Sequence, residues 1–224
     1  MKLGDLIGRL LYPPKCVLCG SLLEDEETDL CHDCRCDVPA WEKSRKKLQF
    51  LDSWAAVWYY EENVRRSLVR YKFYGARSYA SVYGRLLAMK LSEQHPDGVD
   101  ILTWVPVSPI RKFFRGYDQV ELLAYAVGSE LGITPVRTLN KIRHNRTQSR
   151  IRGEAKRRAN VLGAYKVTDP AVVRGKTIVL LDDIITTGAT IGECARMLLT
   201  AGALEVHGGA VAATRSYKKT GSRR

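Results

Sequence analysis

The run Val179-Leu180-Leu181-Asp182-Asp183-Ile184-Ile185-Thr186-Thr187-Gly188-Ala189-Thr190 joins two adjacent carboxylates to a threonine-rich turn. Each part has a chemical use. Leucine and β-branched residues in sequence predict a strand buried on both faces, which delivers Asp182 and Asp183 at its C-terminal edge, where open α/β sheets bind ligands. Carboxylates there accept hydrogen bonds from paired sugar hydroxyls. In the turn that follows, Gly188 lets the backbone point its N–H groups inward, and Thr186, Thr187 and Thr190 add hydroxyl donors. With a helix N-terminus behind them, these donors suit a phosphate monoester. Paired acids beside such a nest favour a ribose phosphate over a bare polyanion.

A second constellation lies near the N-terminus. Four of the six cysteines stand as Cys16-Val17-Leu18-Cys19 and Cys31-His32-Asp33-Cys34. Each pair forms a tight turn with both thiolates on one side, and two turns complete a tetrahedral tetrathiolate zinc shell with no open position for water. A closed shell is structural, and a module this small has too little core to fold without its metal. Two disulfides would need an oxidising compartment, which nothing else in the sequence supports. Cys36 lies close enough to Cys34 to substitute as a ligand, His32 is a weaker candidate than the thiols, and Cys194 falls on a predicted helix as a buried apolar residue. The acidic insert from Glu24 to Asp29 reads as a solvated loop.

The elements that must position these groups alternate short apolar runs with amphipathic segments, the pattern of strands and helices around a largely parallel sheet. Strands are predicted over Trp54–Tyr60, Ile101–Val107, Thr177–Leu181 and Glu205–Ala212. Helices are predicted over Asn63–Tyr71, Tyr79–Leu91, Asp118–Leu131 and Thr190–Ala201, with Asp118 and Glu121 at capping-box spacing. Lys141–Asn160 is rich in basic residues and poor in apolar ones, so it reads as a mobile loop. The chain divides into an N-terminal helix and zinc module over residues 1–48 and an α/β domain over residues 49–224.

Net charge is +12, from 36 Lys and Arg against 24 Asp and Glu. The excess comes in blocks: Lys43 to Lys47, Arg111 to Arg115, Arg143 to Arg158, and the tail from Arg215. Such a field attracts nucleic acid or phosphorylated metabolites. No run approaches the roughly 18 to 20 apolar residues of a membrane span. Met1–Leu11 is amphipathic and interrupted by Asp5 and Arg9, which suits packing against the body of a cytoplasmic protein better than a signal segment. No Gly-x-x-x-x-Gly-Lys-[Ser/Thr] loop occurs, which removes the main support for a nucleoside triphosphatase.

The Asp182–Thr190 run resembles the motif that binds phosphoribosyl pyrophosphate (PRPP) in type I phosphoribosyltransferases. The resemblance implies that fold, a central mostly parallel sheet with flanking helices. It also implies that Asp182 and Asp183 hold the ribose hydroxyls at the catalytic centre while Thr186, Thr187, Gly188, Ala189 and Thr190 hold the 5′-phosphate. Together with the tetracysteine module, it narrows to the ComF family of competence-associated proteins. That likeness rests further on Val105-Pro106-Val107-Ser108-Pro109, on Arg111 and Arg115-Gly116-Tyr117-Asp118-Gln119, and on Gln148 with Arg157, Arg158 and Asn160. It departs from the family at Asp118, where Asn is usual.

Carried over, Val107, Ser108, Arg111 and Arg115 belong to the pyrophosphate loop, and the Arg-rich segment corresponds to the loop that closes over PRPP. Transfer at the anomeric carbon would build negative charge on pyrophosphate, which arginines and Mg²⁺ on the diphosphate would stabilise. The chain has no N-terminal cysteine nucleophile, so a glutaminase activity is not expected. Two functions follow. In one, a PRPP-binding competence protein acts in DNA uptake with other uptake proteins and holds single-stranded DNA through Arg143, Arg146, Arg150, Arg157 and Arg158. Aromatics beside basic residues, Phe113 and Phe114 near Arg111 or Tyr71 and Phe73 around Lys72, would then supply stacking, and core packing explains them equally well. In the other, the protein is a Mg²⁺-dependent phosphoribosyltransferase for an unidentified nucleophile.

Overall fold

Strand β5 (Thr177–Ile185) is the axis of the molecule, with β6 (Glu205–Ala213) on one side and β2 (Ile101–Trp104) on the other. Beyond β6 lies β1 (Ser53–Tyr59), giving the order β1-β6-β5-β2 with every pairing parallel. The computed structural model describes residues 13–42, 47–95, 98–143 and 154–215. The leucine and β-branched run Ile178 to Leu181 is wholly buried, as a strand covered on both faces requires.

One face carries α2 (Glu62–Phe73), α3 (Tyr79–Gln94) and α5 (Gln119–Leu131). Val64, Leu68, Tyr71, Tyr83, Leu87, Leu123 and Val127 pack there against Val179 and Leu181. Helix α5 turns Val120, Leu123, Ala124 and Val127 inward at helical spacing. Gly84 of α3 abuts α5 so closely that a Cβ would stand 2.4 Å from that of Ala126, which only a glycine permits. On the opposite face, α8 (Ala189–Thr200) and a small antiparallel hairpin of β3 (Leu139–Lys141) and β4 (Tyr165–Val167) cover Ile178 and Leu180.

Four shorter helices complete the described chain: α1 (His32–Asp37), α4 (Pro109–Arg115), α6 (Glu154–Val161) and α7 (Pro170–Val173). Three of the sequence expectations shift. Strand β5, expected to end at Leu181, continues to Ile185, so Asp182 and Asp183 lie within its last residues and not beyond its edge. Strand β2 stops at Trp104, before Pro106, which has no N–H to donate, although the Val105 N–H still reaches the Leu181 carbonyl at 2.8 Å. The basic segment expected as a loop over Lys141–Asn160 is part strand and part helix. Lys141 closes β3, and α6 begins at Glu154 and buries Val161. Residues 144–153 lie outside the described residues, as do the N-terminal stretch Met1–Leu11 and the tail beyond Arg215.

The cysteine module is built into the core. Cys16, Val17 and Leu18 are buried in the same cluster as Leu68, Tyr71 and Tyr83. A backbone bridge from Lys15 to Leu22 closes the first knuckle, and Cys31 stands at the N-terminus of α1. The acidic insert is more than a solvated loop. Glu27 accepts the N–H groups of Glu24 and His32, and Asp29 pairs with Arg85 of α3.

Candidate functional site

At the C-terminal end of β5 the chain turns through Thr186 and Thr187 into α8. Gly188 is its N-cap, with φ +82° in the left-handed region. A Cβ there would also stand 2.6 Å from a Leu48 methyl group, which would have to shift, so the backbone conformation favours glycine and the packing adds to it. The Thr187 hydroxyl accepts the Ala189 N–H at 3.3 Å, and the Thr186 carbonyl accepts the Thr214 hydroxyl at 3.2 Å. The turn is half-buried and faces a cavity of about 260 Å³ lined in part by Lys47, Leu48, Arg158, Thr187, Gly188 and Arg196.

The two carboxylates, adjacent in sequence, face opposite sides of the sheet, as strand alternation dictates. Asp183 is buried toward α2 and α5. Its Oδ1 takes the Lys72 ammonium at 2.9 Å and its Oδ2 takes the Gln119 amide at 2.7 Å. Burial works to raise its pKa, but Lys72, the Gln119 bond and Arg115 outweigh it and hold the carboxyl below the usual range. Asp182 lies on the side of Lys141, Tyr165 and Cys194. Burial, and then the charge of Asp183, push it up to about 8, although it accepts the Asp183 N–H at 2.8 Å.

The hairpin supplies two groups that the motif did not reveal. Lys141 Nζ donates to the Tyr165 hydroxyl at 3.1 Å. Burial first, and then Arg111, lower the Lys141 pKa, with Asp182 and Cys194 opposing. Cys194 is buried, as its helical position suggested. Lys72, also unanticipated as a site residue, was legible in principle: it follows the buried stripe Val64, Ser67, Leu68, Tyr71 at the edge facing the sheet.

After β2, the segment 105–108 leads into α4. Ser108 is buried and caps that helix by accepting the Arg111 N–H at 3.4 Å. Asp118 is the buried N-cap of α5. It accepts the N–H groups of Val120 at 2.9 Å and Glu121 at 3.1 Å, and its second oxygen accepts that of Val107 at 3.2 Å. Burial raises its pKa, while those three bonds lower it. The carboxylate thus ties the 105–108 loop to α5. Glu121 leaves the cap unreciprocated and pairs with Lys112 at 2.7 Å. Arg115 donates to Gln119 at 2.7 Å and lies 4.8 Å over the Phe73 ring.

The aromatics separate cleanly. Tyr71 is core, whereas Phe73, Tyr74, Phe113 and Phe114 are among the most exposed apolar side chains, the last two more than 80% exposed. Arg77 lies 4.6 Å over the Tyr117 ring and donates to the Gly116 carbonyl, so cations alternate with rings across α4 and the end of α2. Of the arginines expected on nucleic acid, Arg143 donates to the Leu162 carbonyl at 2.6 Å, and Arg157 and Arg158 lie on α6. Arg146 and Arg150 lie outside the described residues, as does Gln148.

The sulfurs of Cys16, Cys19, Cys31 and Cys34 all lie within 4.8 Å of one another. Tetrahedral zinc with Zn–S bonds near 2.3 Å places its thiolates about 3.8 Å apart, so the four fit a structural zinc site. Cys36 is exposed, with its sulfur 3.7 Å from His32 Nε2, and stands apart from the four.

Residues 122–222 match the phosphoribosyl transferase domain family and residues 7–45 the double zinc ribbon domain family. The chain is similar to competence protein ComFC of Bacillus subtilis, 28% identical over 90% of this chain and 76% of that protein. It is likewise 28% identical to ComFC of Streptococcus pneumoniae, over 86% of this chain and 96% of that one. The DNA utilization protein YhgH of Salmonella typhi is 31% identical over 60% of each chain. Among solved structures, a glutamine PRPP amidotransferase from B. subtilis matches with a TM-score of 0.44 at 25% identity, covering 64% of this chain and 30% of that one. The chain thus spans about a third of the length of that enzyme.

Proposed function

We propose, for a chain that belongs to the ComF family of phosphoribosyltransferase-like proteins, that it binds PRPP at the β5–α8 junction and acts in DNA uptake. The observation that carries this reading is the junction itself, where β5 carries two adjacent carboxylates just before its last residues, Ile184 and Ile185, and a threonine pair and a left-handed glycine then lead into the first turn of α8. The N–H groups and hydroxyls of Thr186 to Thr190 receive the 5′-phosphate. Asp182 and Asp183 accept the ribose hydroxyls. Val107, Ser108, Arg111 and Arg115 flank the pyrophosphate. Mg²⁺ would come with PRPP and supply charge neutralisation on its diphosphate.

Single-stranded DNA is the second ligand. The exposed rings of Phe73, Phe113 and Phe114 give bases a stacking platform, and Arg115, Arg77 and Lys112 beside them meet the backbone. Arg143, Arg157 and Arg158 extend the positive surface. The names of the ComFC and YhgH relatives, competence and DNA utilization, support a role with DNA, which we place in the cytoplasm beside other uptake proteins. Among the described residues no helix is long and apolar enough to cross a membrane. The test is PRPP binding with Mg²⁺, with and without an oligonucleotide. If the arginines are shared, PRPP weakens DNA and DNA weakens PRPP by one factor, as linkage demands. No PRPP binding in either arm refutes the reading.

One observation favours turnover as well. A carboxyl pushed up to about 8, as Asp182 is, can exchange a proton near neutral pH. Pyrophosphate release that requires a defined acceptor, and vanishes in Asp182→Asn, would make the protein a transferase.

A further inference from the structure

Helix α2 touches both chemistries. On the side facing the zinc module, the Ser67 hydroxyl donates to the Val17 carbonyl, and the Arg70 guanidinium donates to the carbonyls of Val17 at 3.1 Å and Leu18 at 2.6 Å. Asn63 Nδ2 lies 3.9 Å from the Cys34 sulfur. Val17 and Leu18 are the two residues between the first pair of zinc thiols, so these carbonyls keep their places only while that turn is held. Two residues past Arg70, Lys72 carries its ammonium to Asp183 at 2.9 Å with a side chain only 17% exposed. Between them, the Tyr71 hydroxyl donates to the Gln119 carbonyl at 2.5 Å, and Gln119 donates to the other oxygen of Asp183.

We propose that Lys72 is a positioning residue for the phosphoribose site and that the zinc module sets it. The filled cluster fixes the Cys16–Cys19 turn, the carbonyls of that turn fix Ser67 and Arg70, and α2 in that register lays Lys72 on Asp183. Lys72 keeps the buried carboxylate ionised, and therefore an acceptor for a sugar hydroxyl, before any ligand arrives. Removing the metal opens a turn that is folded by its metal. Arg70 then loses two acceptors, and the helix that carries Lys72 loses its anchor. The other groups bearing on Asp183 are Gln119, Arg115, Asp182 and Tyr71, none of them on the zinc module. The proposal rests on the reading of Asp183 as a ribose ligand.

The test compares the zinc-loaded full chain, the chelator-stripped chain, zinc-loaded Arg70→Met and Lys72→Met, and Lys72→Met combined in turn with stripping and with Arg70→Met. Two quantities are read: affinity for PRPP with Mg²⁺, and the pH midpoint of the Asp183 carboxyl carbon resonance without PRPP. Stripping and Arg70→Met should each weaken PRPP about tenfold, within the usual range of coupling between sites. Each should also raise the Asp183 midpoint, and neither should add to the effect of Lys72→Met. An Asp183 midpoint unmoved by Arg70→Met, or effects that add in full to Lys72→Met, overturns the coupling. If the stripped chain unfolds, zinc-loaded Arg70→Met decides. If wild type does not bind PRPP, the ribose reading fails by itself, and the midpoint in Arg70→Met still decides the coupling.

Discussion

Asp182 and Asp183 are chain neighbours in opposite electrostatic surroundings, and the difference has a measurable sign. Asp183, held low by Lys72 and Gln119 against its burial, contributes stability that is present above the ordinary carboxyl value of 3.8 and is lost as pH falls through its lower folded value. Asp182 does the reverse. Burial and its neighbour's charge keep it protonated in the folded chain up to about 8, so stability present below about 4 declines as pH rises from there to about 8. Asp182→Asn should therefore raise the denaturant midpoint at pH 8 and change it much less at pH 4. A midpoint equally shifted at both values would show that Asp182 titrates normally. The sequence made both acids visible through their motif. It hid Lys141 and Tyr165, because a lysine or tyrosine aimed into a site by tertiary packing carries no local spacing signal, whereas Lys72 had one in its place at the edge of the buried stripe of α2.

At the scale of elements, strand, turn and helix around Gly188 were legible because each obeys a local rule: buried strand, left-handed turn, helix N-terminus. Gly188→Ala should destabilise the protein by about 1 to 3 kcal/mol, the range for a side chain in a disfavoured backbone region or an overpacked core, since its Cβ meets Leu48. Chemical denaturation measures this, and an unchanged midpoint would contradict the packing of Leu48 on the turn. The knuckles were also legible, from cysteine spacing alone. Their burial against α2 was not, since Val17 and Leu18 read as ordinary knuckle residues until Leu68 and Tyr71 pack on them. One zinc per chain is expected by elemental analysis. Cys31→Ser should release it and lower the melting temperature of the α/β domain as well as the module. A module lost without any change in that temperature would mean the two do not share a core. Helix α6 escaped the sequence reading because its buried apolar surface is confined to Val161, too little for a periodic stripe.

For the whole molecule, the charge of +12 set the expectation of an anionic partner, and the structure sorts the aromatics that composition could not. Phe113 and Phe114 project to solvent from a helix that buries none of its residues, a placement that serves base stacking better than the core. Phe113→Ala with Phe114→Ala should weaken an oligothymidine by about 1 to 3 kcal/mol per ring that stacks. The salt slope should remain. Neutralising Arg157 and Arg158 should instead flatten the dependence of log affinity on log salt by about 0.7 for each DNA phosphate left without its arginine. The reverse pattern would place the bases on α6 and the backbone on α4.

The claim beneath all of this is that β5 and α8 hold PRPP, and titration calorimetry with Mg²⁺ tests it directly. Zinc-loaded wild type should bind PRPP at one site per chain. The doubly substituted Asp182→Asn, Asp183→Asn protein, whose amide oxygen at 183 can still accept from Lys72 and so preserve the fold, should bind at least tenfold more weakly. That margin follows from Asp183 alone, because removing the charge-assisted hydrogen bond of its ionised carboxylate costs about 1.5 to 3 kcal/mol, and about 1.4 kcal/mol is a factor of ten. Equal affinity in the two folded proteins, or no heat from wild type, would contradict the account.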